Sequence, residues 1–247
     1  VRSSAASDVY KRQGSRYDGW QKQGNTANTI QGKLEQVLER MAGEPVEFSG
    51  AGRTDAGVHA MGQTANFHLH TALEDEEIKA YLNRYLPEDI EVVSIARVPD
   101  RFHSRLNARE KVYVYRIGTG GAKHVLERRQ IWTVEDEPDV RAMKAAAAFL
   151  EGEHDFKSFC SNKRMKKSTV RRIRSIEVEQ YPGEIRLIFT GNGFLYHMVR
   201  ILTGTLLEAG RGAYPPEYVR EILEGKNREL AGPCAPACGL CLKEVRY

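Results

Sequence analysis

What most constrains this chain is the order in which its hydrophobic period changes. From Asn28 onward, Ile30, Leu34, Val37, Leu38 and Met41 recur at helical spacing, with a polar Asn/Thr start and Gly43 just past the end, which predicts an amphipathic helix. Pro45 follows, then strand-like runs at Val46–Ser49 and at Gln63–Leu69, where Ala65, Phe67 and Leu69 share one face. A helix over Asp75–Leu86 and a strand over Glu91–Val98 complete a first unit. The second half repeats the grammar. It has strands at Val112–Ile117 and Gln130–Val134, a helix at Pro138–Leu150, and strands at Arg172–Glu179 and Glu184–Thr190. Helices from Phe194 to Ala209 and from Pro215 to Glu224 and a last strand at Gly239–Val245 follow. Helices separated by runs of antiparallel-looking strands predict an α+β fold rather than a doubly wound parallel sheet. Two similar α/β domains are expected, 14–100 and 101–247, with the boundary near Pro99–Arg105.

Composition narrows the function classes. With 247 residues, 41% hydrophobic and 28% charged, the chain can bury a core and is not a disordered or fibrous protein. No apolar run approaches the roughly 18 residues of a membrane span. Four cysteines in a chain of this length do not make a disulfide framework, which points to a reducing, cytoplasmic setting. Residues 1–13 (VRSSAASDVYKRQ) show neither helical nor strand periodicity and read as a foreign or disordered segment outside the fold. The formal charge of +4 falls to +2 without them, 34 basic residues against 32 acidic, so global charge names no partner.

Asp55 is the first candidate for chemistry. It sits in Gly50-Ala51-Gly52-Arg53-Thr54-Asp55-Ala56-Gly57, between two strands, where backbone can approach a ligand and a side chain can be aimed into a cleft. Spacing alone equally allows an aspartate that caps a turn. A phosphate loop fits poorly, because no Gly-Lys-Ser/Thr follows and no helix begins there.

The string GRTDAGVHA, Gly52–Ala60, resembles the active-site signature of the tRNA pseudouridine synthase I family. Supporting stretches stand in family order: GSRYDGWQ from Gly14 and TIQG from Thr29, then FHSR from Phe102 and KVYVY from Lys111. DFKSF from Asp155, GFLYHMVR from Gly193, APACGL from Ala235 and the terminal Val245-Arg246-Tyr247 complete the series. The resemblance spans Gly14–Tyr247. It departs before Gly14, where the family carries an apolar strand of the first domain's sheet. Residues 1–13 stand in its place, so ladder groups are expected to go unpaired there.

The resemblance implies a pseudouridine synthase fold with its active-site cleft between the two domains. It also implies a cofactor-independent isomerisation of uridine to pseudouridine at tRNA positions 38–40, in a homodimer that holds one tRNA across two subunits. Asp55 would be the nucleophile, ionised in a fairly dry pocket and therefore in need of a cationic partner. Arg200 matches the arginine that pairs with it. Tyr113 matches the tyrosine that packs on a flipped base and assists at C5, whereas Tyr115 reads as core. Arg53 is placed to fill the gap left by the base or to grip a phosphate, though bare sequence equally allows a surface ion pair. An inactive RNA-binding module of the same fold is the alternative.

Lys157, Lys163, Arg164, Lys166, Lys167, Arg171, Arg172 and Arg174 fall within eighteen positions. Such a run is often only a solvated face. Beside Phe156 and Phe159, and with an RNA substrate implied, it reads as a phosphate-binding strip. Arg16, Lys22 and Arg105 are secondary candidates. Cys234, Cys238 and Cys241 have the spacing of an iron–sulfur site, but the resemblance places them around an ordinary terminal strand. His59 and His197 read as supporting residues rather than metal ligands.

Overall fold

The computed structural model describes residues 2–247, with residues 2–11 described by their backbone. The chain forms two compact units, one running to Arg109 and taking in Leu242–Tyr247, the other Glu110–Cys241. The architecture is α+β, with mainly antiparallel strands.

The first unit contains β1 (Arg2–Arg12), α1 (Ile30–Ala42), β2 (Ser49–Gly50), β3 (His59–Thr71), α2 (Asp75–Tyr85) and β4 (Ile90–Val98). Strand order runs β4, β1, β3 and then the C-terminal strand (Leu240–Arg246), with β2 on β3. α1 starts where Thr29 accepts a hydrogen bond from the Gly32 amide and ends at Gly43, whose φ of 75° is open to glycine at little cost. α2 begins with a reciprocal cap between Glu74 and Glu77. The apolar stripe read from the sequence is buried: Ile30, Leu34 and Leu38 are closed off from solvent beside Phe48, Phe67 and Leu69.

Two expectations change here. Arg2–Arg12, expected to lie outside the fold, forms β1, antiparallel to β3 on one side and β4 on the other. The ladder groups expected to go unpaired are therefore paired. Pairing uses backbone N–H and C=O groups that every residue but proline carries, so a segment without apolar alternation can still fill a strand-wide slot. The compact units also divide between Arg109 and Glu110 rather than near Pro99–Arg105. The segment before Arg109 is held by the C-terminal strand. Tyr247 donates to the Ser104 carbonyl at 2.8 Å, its ring packs on Phe102 at 5.1 Å, and the Arg109 amide reaches the Arg246 carbonyl at 2.8 Å.

The second unit contains β5 (Glu110–Gly118), β6 (Trp132–Thr133), α3 (Val140–Ala148), β7 (Gly152–Asp155), β8 (Val170–Tyr181), β9 (Glu184–Gly191), α4 (Met198–Gly210) and α5 (Tyr218–Glu224). β5, β9, β8 and β7 lie in that order, antiparallel throughout, and β6 adds a short parallel pair to β5. α4 is buried along almost its whole length, as its apolar sequence requires. Its middle passes so close to Pro233 that a Cβ on Gly204 would lie 1.9 Å from the Pro233 carbonyl oxygen. α4 starts at Met198 rather than Phe194, because His197 adopts left-handed backbone at φ 61° and breaks the helical path.

Candidate active site

The loop from Gly50 to Val58 is braced from three directions within the first unit. From β3, the Gln63 side chain donates to the Gly52 carbonyl at 2.7 Å, and the Thr64 carbonyl accepts from the Ala51 amide at 2.8 Å. From the Tyr17–Gln21 segment, the Trp20 amide donates to the Thr54 carbonyl at 3.0 Å. Trp20 also lies over Gly50 so closely that a Cβ there would meet the indole at 2.5 Å. From β1, the Arg12 guanidinium donates to the Thr54 hydroxyl. The Val58 amide closes a turn onto the Asp55 carbonyl at 3.2 Å, and Gly57 supplies the φ of 79° which that turn needs. Asp55 is half-buried in this turn and Arg53 is exposed.

His59 takes the supporting role expected of it. It is 5% exposed, and its Nδ1 accepts the Gly14 amide hydrogen at 3.1 Å, which also fixes the tautomer with hydrogen on Nε2. Gly14 must be glycine, since a Cβ there would fall 1.9 Å from the Val58 carbonyl oxygen. Arg12 was missed at the sequence level because it lay in the segment set aside. It is 6% exposed, and its hydrogen-bond partner is the residue immediately before Asp55.

Tyr113 and Arg200 belong to the second unit. Tyr113 is 8% exposed on β5, opposite Phe189 of β9, and meets Phe194 edge to face at 5.2 Å. Tyr115, two residues on, is fully buried and donates to the Pro236 carbonyl at 2.7 Å. Burial pushes its phenol well above the usual range, so it serves packing rather than proton transfer. Arg200 lies in the first turn of α4. Its Nε donates to the Ala235 carbonyl at 2.6 Å, and its own carbonyl accepts the Ala235 amide at 3.1 Å. This doublet fixes the start of the side chain.

The basic strip divides into two sets. Lys163, Arg164, Lys166 and Lys167 are all exposed on the loop before β8. Arg171 turns back onto the carbonyls of Ser168 and Val170, Arg172 faces Glu153 at 3.7 Å, and Arg174 faces Glu110 at 3.3 Å. The loop borders a cavity of about 480 Å³ lined by Lys157, Lys163, Lys166, Lys167 and Lys226, with Asp155 as its acid. Lys226 pairs with Asp155 at 3.1 Å. Nothing in its sequence position connects it with a loop sixty residues earlier. Among the secondary candidates, Lys22 pairs with the buried Glu35 at 3.0 Å and Arg16 with Asp89 at 3.7 Å, while Arg105 is exposed.

The cysteines do not gather into a ligand set. Cys238 contacts the Ile131 carbonyl at 3.6 Å and Cys234 the Ala235 carbonyl at 3.9 Å. Among the described residues, no group of three or more His, Cys, Asp or Glu side chains could hold a metal ion. No helix among them is long and apolar enough to cross a membrane.

The molecule is thus an α+β protein whose braced, glycine-rich loop carries a half-buried aspartate. A family model described as tRNA pseudouridine synthase matches residues 10–107 and 146–247, so the match takes in the end of β1, the Asp55 loop and Arg200. The chain belongs to the tRNA pseudouridine synthase family, a family of isomerases. It is 47% identical over 234 residues to tRNA pseudouridine synthase A of Bacillus sp. (strain KSM-64), covering 95% of this chain and 96% of that protein. It is 43% identical over 234 residues to tRNA pseudouridine synthase A 2 of Bacillus anthracis, covering 95% of this chain and 96% of that protein. Over 239 residues it is 43% identical to tRNA pseudouridine synthase A 1 of Clostridium tetani (strain Massachusetts / E88), covering 97% of this chain and 98% of that one.

Proposed function

We propose that the chain converts uridine to pseudouridine at positions 38–40 of the tRNA anticodon stem and loop, with Asp55 as nucleophile. The observation that carries this reading is the bracing of the loop in a chain of this family. β3 and the Trp20 segment hold the backbone at Ala51, Gly52 and Thr54, and Arg12 of β1 holds the Thr54 side chain, immediately before one carboxylate, as preorganised covalent catalysis requires. The N1–C1′ bond breaks, the base turns, and C1′ bonds to C5. C5 gives up its proton and N1 gains one, so the reaction is an isomerisation and needs no redox cofactor.

Arg200 keeps Asp55 ionised, and Tyr113 packs on the flipped uracil and assists removal of the C5 proton. Arg53, exposed beside the nucleophile, fills the vacated stack or grips a phosphate. Attack at C6, attack at C1′ and a glycal route all use the same carboxylate. Lys163, Arg164, Lys166 and Lys167 hold the tRNA backbone, with Arg171 and Arg105 as further contacts. A homodimer sharing one tRNA, working in the cytoplasm, completes the reading. The four cysteines, none of them in a disulfide, support a reducing compartment.

The test is release of tritium from C5-labelled uridine in tRNA. Asp55→Asn and Asp55→Ala should lower turnover at least about 10³-fold while tRNA still binds. Substantial turnover by either variant would remove Asp55 from the chemistry. An inactive binding module would bind tRNA and release no tritium even as the unaltered chain.

A further inference from the structure

A stacked aromatic pair at the foot of α4, with Tyr196 exposed and His197 half-buried, has no part in the chemistry above. The Tyr196 ring lies on the His197 ring, with centroids 3.8 Å apart and planes 27° from parallel, yet Tyr196 remains 54% exposed. A ring covered on one face and still half open presents its other face to solvent. The pair is held from below. His197 keeps left-handed backbone at φ 61° and ψ 5°, a conformation that a non-glycine residue holds only where its surroundings enforce it. Its Nδ1 lies 3.0 Å from the Ser161 hydroxyl, and the Ser161 amide donates to the Tyr196 carbonyl at 3.2 Å.

Ser161 is also where the basic loop leaves the body of the second unit. Within the next six residues come Lys163, Arg164, Lys166 and Lys167, all exposed. The same two hydrogen bonds that hold the aromatic pair therefore tether the cationic loop beside it. A flat, open ring next to several solvated cations is the composition of a single-strand nucleic-acid site, where a base stacks and its neighbouring phosphates meet lysine and arginine.

We propose that Tyr196 is a stacking platform for one unpaired nucleobase of the RNA substrate, with Lys163, Arg164, Lys166 and Lys167 engaging the adjacent phosphates. The inference rests on the proposed RNA substrate and adds a ligand to it. Stacking accepts any base with a free π-face, so the platform reads whether a base is unstacked rather than which base it is. It would thus favour a loop over a continuous stem.

The experiment uses an anticodon stem-loop hairpin and a set of hairpins carrying an abasic nucleotide at each loop position in turn. Tyr196→Ala should weaken hairpin binding about 5- to 150-fold, with no change in the slope of log K against log salt, because stacking releases no counterions. Tyr196→Phe should bind like the unaltered protein. One abasic hairpin should lose the same factor with the unaltered protein and nothing further with Tyr196→Ala. That arm reads the contact in the unaltered protein, whatever the folding of the variant. Normal binding by Tyr196→Ala, equal loss in Tyr196→Phe, or no abasic position coupled to Tyr196 would each overturn the platform. Tritium release by the unaltered protein, followed in parallel, separates the two readings. Turnover with an uncoupled Tyr196 removes the platform alone, and coupled binding without turnover removes the proposed reaction alone. A hairpin that does not bind removes both.

Discussion

The Gly50–Val58 loop and the loop from Ser161 to Ser168 both carry residues with roles in the proposed function, but they are built in opposite ways. The first is glycine-rich and tied by hydrogen bonds from β1, β3 and the Trp20 segment, with Asp55 half-buried. The second is exposed at Lys163, Arg164, Lys166 and Lys167 and is anchored at its ends, through Ser161 and through Thr169, whose carbonyl accepts the Phe156 amide at 3.1 Å. A nucleophile must be in place before substrate arrives, because a displacement of about 1 Å can cost on the order of 10²-fold in rate. Phosphate contacts act over several ångströms and tolerate rearrangement. In the proposed reaction the tied loop is the one where bonds change, and the exposed basic loop is the one that gathers the polyanion.

Substitutions can break this contrast. The largest effect on stability is expected at Gly14, where an added Cβ would fall 1.9 Å from the Val58 carbonyl oxygen. Gly14→Ala should cost about 1–3 kcal/mol in urea unfolding at an unchanged m-value, and turnover should fall with it. Arg12→Met removes the guanidinium from Thr54 and should lower kcat about 10- to 100-fold while tRNA affinity holds. If affinity fell and kcat did not, β1 would brace the RNA surface rather than the nucleophile loop. The paired change Lys166→Gln and Lys167→Gln should do the reverse. kcat should stay near its original value, affinity should fall, and the slope of log K against log salt should flatten by about 0.7–0.9 per lysine lost.

The smallest effect is a control within the second unit. Glu184, at the turn end of the β8–β9 hairpin, accepts hydrogen bonds from Arg116 at 2.7 and 2.8 Å and from Arg186 at 2.6 Å. Burial pushes its carboxyl upward, but the two guanidinium groups overcome this and hold it at about 2 against an ordinary 4.5. A carboxylate with a lowered folded-state pKa stabilises the fold above its unfolded value. That contribution, on the order of 1–2 kcal/mol given the half-open Arg186, is lost as pH falls from about 4.5 to about 2. Glu184→Gln should flatten acid unfolding across this window and leave RNA affinity unchanged.

Much of the fold was legible because it rests on apolar periodicity. α1 follows the stripe read from Ile30, α2 falls on the helix expected over Asp75–Leu86, and Tyr115 is core as its strand period required. The misses share a cause. β1 and β7 (Gly152–Asp155) present no alternating apolar face in sequence and are specified by backbone pairing with neighbours distant along the chain. The late start of α4 follows from the left-handed His197, which no composition rule marks. The strand expected over Val46–Ser49 shifts to Ser49–Gly50 and that over Gln130–Val134 contracts to Trp132–Thr133, because only those residues find a ladder partner. Motif strings marked Asp55, Tyr113 and Arg200 as candidates, and their roles are those proposed above. Arg12 and Lys226 were not marked, since each meets a partner far along the chain, Thr54 for Arg12 and Asp155 for Lys226.

The central claim is that the loop held by β1, β3 and Trp20 exists to position one nucleophile. C5 tritium release from tRNA, measured for the unaltered chain and for Asp55→Asn at matched occupancy of bound tRNA, tests it directly. The account predicts stoichiometric release by the unaltered chain and none above background by Asp55→Asn. Comparable release by the two would contradict it.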